Sequence, residues 1–415
     1  MFNLSFNRIK NFFSPFYKSS DLKFVFKKLQ EGFPDEEKTA MFVGGCVRKF
    51  LSNEKIDDID IATSLDTNQI KDRFKNSEFN VIESGIIHGT VTLVKDKLKL
   101  ELTTLRKDIK TDGRHAEIEF TNNWYEDSKR RDITINAIYL DIRGKIYDYQ
   151  GGIKDLKTST VKFIGDPNTR IQEDYLRIIR FLRFAIQYDS STDDQTINAL
   201  KLNLNGIKNI SKERILDELL KIIKLDNFDN ILKHKKKKFI FSLIYPELKN
   251  LDKIEKLKYL KESIDKNLIL AILLLDGSNN CDYFCHKYKT SNKMKEELSS
   301  LTNLYNETKL DVNFFKKDIA KNIYFYGSQR VKNLSILKFF DRSKANLDDL
   351  NKVIDKIDQT NIPKFIYDGM YLKEKGMKQG ALIGKTLKLI EEEWLNSGFK
   401  ISDEKVLKII NEQNS

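Results

Sequence analysis

The chain has 415 residues, of which 40% are hydrophobic and 11% aromatic, which excludes a largely disordered chain and is enough for two to four domains with buried cores. Lysine and arginine outnumber the acidic residues by 73 to 61. The resulting charge of +12 favours a polyanionic partner, nucleic acid first, although many lysine-rich proteins have none. No stretch reaches about 18 uninterrupted apolar residues, so no membrane span is expected. Three scattered cysteines make no disulfide framework, so we expect a reducing, cytoplasmic location.

The first 20 residues are basic and contain no acidic residue. They lack the long apolar run and the small-residue cleavage site of a secretory signal. An amphipathic first helix is the favoured interpretation, and an organelle-targeting segment is the alternative.

Residues 40–150 contain short segments in which β-branched and apolar residues alternate with polar ones. This pattern predicts strands at AMFVGGCV, IDDIDIAT, HGTVTLV, KLKLELTTL, AEIEF and NAIYLDIRGKIYDY. Helical runs such as DTNQIKDRFK lie between some of them. After about residue 158 the apolar period becomes helical. The predicted fold class is therefore α+β, a mixed α/β domain followed by helices. The basic run at 233–238 is predicted to be a solvated face or loop, with a phosphate-binding patch as the alternative.

Asp58 and Asp60 form the sharpest local signal of the chain. On a strand, alternate residues point to one face, so both carboxylates project together while Ile59 and Ile61 face the core. Two adjacent carboxylates repel each other unless a hard cation such as Mg²⁺ compensates them. Such a pair can hold two metal ions for nucleotidyl transfer. For an isolated pair, a solvent-facing acidic strand edge is the simpler interpretation.

Other residues near this pair support a phosphate-handling site. Gly44 and Gly45 at a strand end would let backbone amides approach a phosphate closely, and Arg48 would supply a planar pair of donors. Glu101 lies on an alternating strand and is a candidate third catalytic carboxylate. The alternatives are a tight turn at the glycines and an ordinary exposed strand residue at Glu101.

Several ordered motifs together resemble the family of class II tRNA nucleotidyltransferases and bacterial poly(A) polymerases. The matching segments, which cover about residues 40–225, are VGGCVRKFL with DDIDIAT, RRDITINAIYLD, DYQGGIKDL, RIQEDYLRIIRFLRFA and SKERILDELLKII. A weaker match covers 363–399. The first motif departs from the family at Lys49, where Asp is usual, which puts local packing around Arg48 in question.

The resemblance implies roles for individual residues. Asp58 and Asp60 would bind two Mg²⁺ ions and, with Glu101, carry the chemistry. Arg48 and the two glycines would steady the triphosphate. The remaining nucleotide-binding residues implied by the second motif and by the nucleotide-selecting helix are Arg131, Asp132, Asn136, Asp174, Arg177 and Arg180.

Base selection is assigned by the resemblance to Asp174 and Arg177. Because they are three residues apart, we expect them on one face of a single helix. Asp174 can accept from the exocyclic amine that C and A share, and Arg177 can donate to ring nitrogens or carbonyls. U and G would present a carbonyl to Asp174, at a cost of about 1–3 kcal/mol per mismatched group. Without the resemblance, an i,i+3 surface ion pair is the simpler interpretation.

The resemblance also implies a domain order and a reaction. The expected parts are a nucleotidyltransferase head at 1–157, a helical neck at 158–225, a body at 226–330 and a tRNA-binding tail at 331–415, with the helical parts elongated. The segment between Arg106 and Arg130 matches a mobile loop of the family, with a hinged turn at 112–114.

The expected reaction is template-independent addition of CCA to tRNA from CTP and ATP. An enzyme that adds only A, a poly(A) polymerase and a catalytically inactive RNA-binding protein are the alternatives. The sequence leaves the oligomeric state open.

Overall fold

A computed structural model describes residues 15–85, 89–111, 116–260, 264–311, 313–342, 346–377 and 380–414. The chain divides into two compact units. The first contains the described residues up to Leu248 together with 286–290, and the second contains 249–285 and the described residues from Ser291 onward. The finer division into four parts stays a prediction. Most of the segment predicted to form the first helix lies outside the described residues.

The first unit is built on β-strands, as the alternating pattern predicts. Its described strands are β1 (Ala40–Val43), β2 (Ile59–Thr63), β3 (Asn80–Gly85), β4 (Thr90–Lys95), β5 (Leu98–Thr104), β6 (Arg106–Thr111), β7 (Ala116–Phe120), β8 (Ile138–Leu140) and β9 (Ile146–Asp148). Seven of them form one mixed sheet in the order β3-β4-β5-β2-β1-β8-β9, in which β2 and β5 are parallel. Strands β6 and β7 pair separately as an antiparallel hairpin.

The first helices of this unit precede its strands or lie between them, and the elements that follow the last strand are all helical. They are α1 (Ser20–Gln30), α2 (Gly45–Leu51), α3 (Thr67–Phe74), α4 (Trp124–Lys129), α5 (Gly152–Lys157), α6 (Pro167–Glu173), α7 (Leu176–Gln187), α8 (Asp194–Leu202), α9 (Lys212–Ile223) and α10 (Lys235–Ile244). Short 3-10 turns lie at Phe16–Lys18, Thr134–Asn136, Leu204–Asn209 and Phe228–Lys233. The predicted helices at DTNQIKDRFK and SKERILDELLKII are confirmed as α3 and α9.

Both faces of strand β1, which lies between β2 and β8, are buried. Phe42 packs into a core formed with α1, α2 and α3, whereas Met41 and Val43 pack on the opposite face against Tyr139 and its neighbours. One strand prediction is wrong in its bounds, and one strand of the structure is missing from the prediction. The strand predicted over AMFVGGCV ends at Val43, because the chain turns at Gly44 and then enters α2. Strand β6 is not predicted, because RKDIKT contains a single apolar residue and therefore shows no apolar alternation.

The basic run at 233–238 is only partly a solvated surface. Lys237 is 2% exposed, and its ammonium donates to the carbonyl oxygens of Ser190 at 2.6 Å and Ala185 at 3.3 Å. His234 is 2.7 Å from Asp189. The run therefore fixes the turn that follows α7, which a pattern of charges alone does not reveal.

The described secondary-structure elements of the second unit are all helices. Its elements are a 3-10 segment at Leu251–Tyr259 and α11 (Lys266–Leu274), α12 (Asn280–Lys287), α13 (Asn292–Thr308), α14 (Ile319–Tyr326), α15 (Ser328–Asp341), α16 (Leu347–Gln359), α17 (Gly369–Glu374), α18 (Ala381–Asn396) and α19 (Asp403–Asn414); α12 ends in the first unit. Among the described helices, none combines the length and the apolar character needed to cross a membrane. An α/β part followed by helices confirms the predicted α+β class.

Candidate active site

The predicted carboxylates lie on or directly beside the neighbouring interior strands β2 and β5. Asp58 directly precedes β2, and Asp60 lies within it, opposite Glu101 in the parallel pairing of β2 with β5. Ile61 is buried in the core and Ile59 packs against it, as the alternation predicts. All three acidic residues line one cavity of about 960 Å³ in the first unit.

The electrostatics of these carboxylates fit a divalent cation. Burial, followed by the negative charges of Glu101 and Asp58, raises the pKa of Asp60 to about 6. A cation would relieve this crowding, and a pair of carboxylates completed by phosphate and water oxygens is a usual environment for Mg²⁺. In the described part of the chain, no three His, Cys, Asp or Glu side chains are grouped to hold a metal ion by themselves. The carboxylates that are present, on the neighbouring strands β2 and β5, have the oxygen donors that a hard divalent cation prefers.

Gly44 lies against the carboxylates. Its φ of +74° is in the left-handed region, which side chains disfavour. A Cβ at this position would lie 3.6 Å from Asp60 Oδ2 and 3.9 Å from Arg131 Nη1. The glycine therefore lets the backbone turn within the site and leaves room beside Asp60.

Arg48 is only 5% exposed, and its guanidinium is held by three contacts. Its Nε donates to the Tyr188 hydroxyl at 3.0 Å, its Nη1 donates to Asn136 Oδ1, and its guanidinium lies 4.7 Å from the centre of the Phe184 ring. Lys49, the departure from the family motif, forms a 3.2 Å ion pair with Asp57. Arg48 is thus positioned by residues outside its own motif.

A buried carboxylate that the sequence analysis missed organises the second motif. Asp127 is fully buried and accepts from Arg130 Nε at 2.7 Å, from Arg131 Nη2 at 3.0 Å and from the Tyr139 hydroxyl at 2.7 Å. Burial alone would raise its pKa, but the charges of Arg131 and Arg130 outweigh burial and lower it to about 2. The sequence contains a signal for this arrangement. Asp127 lies three residues before Arg130 and four before Arg131, which is the spacing at which side chains on one helix face contact each other.

Asp132 connects the head motif to α7. Its Oδ2 accepts from Arg180 Nε at 2.8 Å, and its Oδ1 accepts from Asn136 Nδ2 at 3.1 Å. Although burial opposes ionisation, the charge of Arg180 and the hydrogen bond from Asn136 hold the pKa of Asp132 below its usual range. Arg180 therefore reaches the cavity already paired with a predicted site residue.

The expectation that Asp174 and Arg177 share one helix is wrong. Helix α6 ends at Glu173, Asp174 is extended, and α7 begins at Leu176. Asp174 Oδ1 accepts from the Leu176 backbone amide at 3.1 Å, which starts the new helix in the manner of a capping residue. The i,i+3 ion pair is wrong as well, because Asp174 pairs with Arg214 at 2.8 Å and Arg177 pairs with Glu173.

The cavity nevertheless brings every predicted site residue together. In addition to the predicted set, it is lined by Lys49, Ile59, Lys99, Arg106, Arg130, Arg183, Phe184 and Lys221. Ten of the lining residues are Lys or Arg and five are Asp or Glu, so the cavity has an excess of positive charge. Burial and the neighbouring Arg130 lower the pKa of Arg106 to about 10. An anionic ligand would relieve this crowding of cations.

The predicted mobile loop corresponds to the β6–β7 hairpin and to α4. Residues 112–115 lie outside the described part of the chain, so the hinged turn predicted at 112–114 is not addressed by the structure.

Two family models match the chain. One describes a "Poly A polymerase head domain" and matches residues 40–162; the other describes a "Probable RNA and SrmB- binding site of polymerase A" and matches residues 191–251. A mixed sheet with a carboxylate pair at the start of its middle strand, together with the head-domain match, places the chain in the nucleotidyltransferase class. Enzymes of this class generally use divalent metal ions.

Curated relatives narrow this class. A Homo sapiens protein named "CCA tRNA nucleotidyltransferase 1, mitochondrial" is 33% identical over 92% of this chain and 89% of its own length. A "CCA-adding enzyme" from Streptococcus uberis is 32% identical over 89% of this chain and 90% of its own. The chain therefore belongs to the family of CCA tRNA nucleotidyltransferases, which confirms the family predicted from the motifs.

A solved structure shares the fold. The crystal structure of the Bacillus stearothermophilus CCA-adding enzyme in complex with CTP aligns with a TM-score of 0.70 over 94% of this chain and 96% of that one, at 22% identity.

Proposed function

We propose that this chain adds C, C and A in turn to the 3′ end of tRNA, using CTP and ATP without a nucleic-acid template and releasing pyrophosphate. One observation carries the proposal: a single cavity joins the carboxylates, the excess of cations and the Asp174–Arg177 segment. The names of the relatives and the CTP complex of the solved structure support it.

The cationic wall of the cavity would hold the triphosphate. Arg48 is fixed by Tyr188 and Asn136, so little side-chain freedom is lost when a phosphate binds. Gly44 leaves space beside Asp60 for the phosphate oxygens. Arg131, held by Asp127 and Tyr139, would face the same ligand with its orientation already set.

Asp58 and Asp60 would hold two Mg²⁺ ions, and Glu101 would add a third carboxylate beside them. When bound, such ions neutralise phosphate charge and favour ionisation of the attacking 3′-hydroxyl. The crowding that raises the pKa of Asp60 supports this assignment. Asp132 would keep Arg180 oriented toward the nucleotide.

Asp174, Arg177 and Arg180 would select the base. In the structure Asp174 pairs with the half-exposed Arg214, so recognition of an exocyclic amine requires Asp174 to exchange or share that partner. Arg177 is anchored by the Arg170 carbonyl oxygen at 2.7 Å. The unequal anchoring makes Asp174 the adjustable member of the pair.

Extension of tRNA transcripts tests the proposal. Transcripts that end before CCA, after C, after CC and after CCA would be incubated with Mg²⁺ and with labelled CTP, ATP or both. The proposal expects completion to CCA followed by a stop. Addition of A alone to the CC-ended transcript would indicate an A-adding enzyme, long A tracts on any RNA would indicate a poly(A) polymerase, and no addition would indicate an RNA-binding protein.

We also propose the division into a head, neck, body and tail at 1–157, 158–225, 226–330 and 331–415, with tRNA contacts in the tail. A cytoplasmic location is proposed from the low cysteine content. Fractionation of cells that express the tagged full chain tests the location, and enrichment in an organelle would contradict it.

A further inference from the structure

Lys49 departs from the family's first motif and lines the active-site cavity. It lies on α2, directly after Arg48, and its side chain is only 23% exposed. Its ammonium lies 3.2 Å from Asp57 Oδ2. Asp57 directly precedes Asp58, which is one of the two carboxylates proposed to hold the metal ions. The ion pair is therefore one residue away from the metal site.

The segment 52–58 joins α2 to β2 without a helix or strand of its own, and it ends at Asp58. Lys49 contacts this segment twice. Its carbonyl oxygen accepts from the backbone amide of Glu54 at 2.8 Å, near the start of the segment, and its ammonium pairs with Asp57 near the end. The first contact belongs to the backbone and is independent of the side chain. Only the second depends on a lysine.

Two lysines lie beside Asp57, and Lys49 is the more constrained of them. Lys55 lies 3.6 Å from Asp57 Oδ1, but its side chain is 84% exposed, so water and salt screen the interaction. Lys49 is closer to Asp57 and less exposed, and its charge is therefore screened less. We infer that Lys49 supplies most of the constraint on Asp57.

Negative charge is already crowded at this end of the site. Asp58, Asp60 and Glu101 line the cavity, whereas Asp57 does not. Without a cation beside it, the carboxylate of Asp57 could turn toward the metal ions as a competing oxygen ligand. The aspartate that is usual in the family at position 49 would face Asp57 with a like charge and repel it. The lysine of this chain attracts Asp57 instead.

We propose that Lys49 is a positioning residue for the metal site. By holding Asp57 outside the cavity, it fixes the backbone from which Asp58 projects and prevents Asp57 from competing for the cation. The assignment of Asp58 as a metal ligand rests on the proposed function. Because Lys49 acts on the metal ligand and not on the reacting atoms, its loss should weaken metal affinity more than the rate at saturating metal.

Binding of Mn²⁺ to the full chain, measured by electron paramagnetic resonance without nucleotide or RNA, tests this proposal. Mn²⁺ accepts the same carboxylate ligands as Mg²⁺, and binding that persists in Asp58→Asn is subtracted. Lys49→Met, which removes the charge, should raise the Kd for Mn²⁺ about threefold to fivefold. Lys49→Asp, which replaces attraction by repulsion, should raise it about tenfold.

Two further variants separate the ion pair from a general loss of structure. Lys49→Arg keeps the charge, and Lys49→Asp/Asp57→Lys exchanges the two charges. Both should bind Mn²⁺ within about twofold of the wild type, although Lys49→Asp alone and Asp57→Lys alone bind it more weakly. A merely misfolded single variant would not be rescued by adding a second substitution.

The matched control is Lys28→Met. Lys28 lies on α1, outside the cavity lining, and pairs with Glu31 at 3.0 Å with side-chain exposures of 31% and 47%, similar to the 23% and 54% of Lys49 and Asp57. The control should bind Mn²⁺ like the wild type. Equal weakening by the control, wild-type Mn²⁺ binding by Lys49→Met, or a charge-exchanged variant no better than Lys49→Asp would overturn the proposal.

Extension of a tRNA that lacks CCA, measured over a range of Mg²⁺ concentrations, gives a second readout. For Lys49→Met, the Mg²⁺ concentration at half-maximal rate should rise about threefold to fivefold, while the rate at saturating Mg²⁺ stays within about twofold of the wild type. The two assays separate this proposal from the proposed function. If Mn²⁺ binding changes as expected but the wild type extends no RNA, only the proposed function fails. If the wild type completes CCA and Lys49→Met binds Mn²⁺ normally, only the positioning proposal fails.

Discussion

Replacement of Asp127 by Asn should destabilise the first unit and disorder its second motif. The substitution preserves size but removes the charge that faces Arg130 and Arg131 in a fully buried position. The new amide group would also point a donor at a partner that already donates. Arg131, whose side chain is 16% exposed, would be left without its carboxylate.

Two routes give a similar magnitude for this loss. Removal of one partner from a buried ion pair costs about 3–5 kcal/mol. The lowering of the Asp127 pKa from 3.8 to about 2 corresponds to roughly 2–3 kcal/mol of stabilisation by its neighbours. Since the pKa is lowered on folding, this stabilisation is complete above about pH 4 and is lost only as the pH falls toward 2. The effect should therefore be constant between pH 6 and 8.

Thermal unfolding provides the assay. For a unit of this size, a loss of about 3–5 kcal/mol lowers Tm by roughly 10 °C. Tyr139→Phe is the matched control, because it removes the hydrogen bond to Asp127 and the one from Arg131 but keeps the carboxylate charge; its Tm should fall less, by about 4–8 °C. The reasoning would be refuted if the Tm of Asp127→Asn lay within about 2 °C of the wild-type Tm. It would also be refuted if the Tm of Asp127→Asn were not measurably lower than that of Tyr139→Phe.

Two further substitutions probe the elements behind the site. Gly206→Ala would push a methyl group into the ring of Tyr175, the residue next to Asp174. In single-nucleotide extension, the preference for C and A over U and G should fall about tenfold. The control is Gly384→Ala, whose methyl group meets open space and which should leave this preference unchanged. Burial lowers the pKa of Lys237 to about 8, so the folded state releases a proton and wild-type stability should rise between pH 8 and 10. Tm measurements should show that Lys237→Met lacks this rise.

The sequence alone predicts the parts of the site that depend on local periodicity. Alternation in IDDIDIAT predicts which side chains leave the core, and the structure places Ile61 in the core and Asp60 in the cavity. The ordered motifs predict which residues gather around the carboxylates. Their roles in catalysis stay predictions, since position alone does not measure activity.

The remaining features depend on contacts between residues far apart in the chain. Asp127 meets Tyr139 only because α4 packs beside β8, and Lys237 is buried only because α10 approaches the end of α7. The break at Asp174 is different, because apolar periodicity continues across it. An aspartate inside a helical pattern can start a new helix with its own side chain, and that signal was available.

The most direct test compares the wild type with Asp58→Asn in the extension of a tRNA that lacks CCA, with Mg²⁺, CTP and ATP. The wild type should add three nucleotides and stop. Asp58→Asn should extend at least about a hundredfold more slowly, while its Kd for tRNA stays within about twofold. A wild type that adds nothing, or an Asp58→Asn variant that extends at the wild-type rate, would contradict the account.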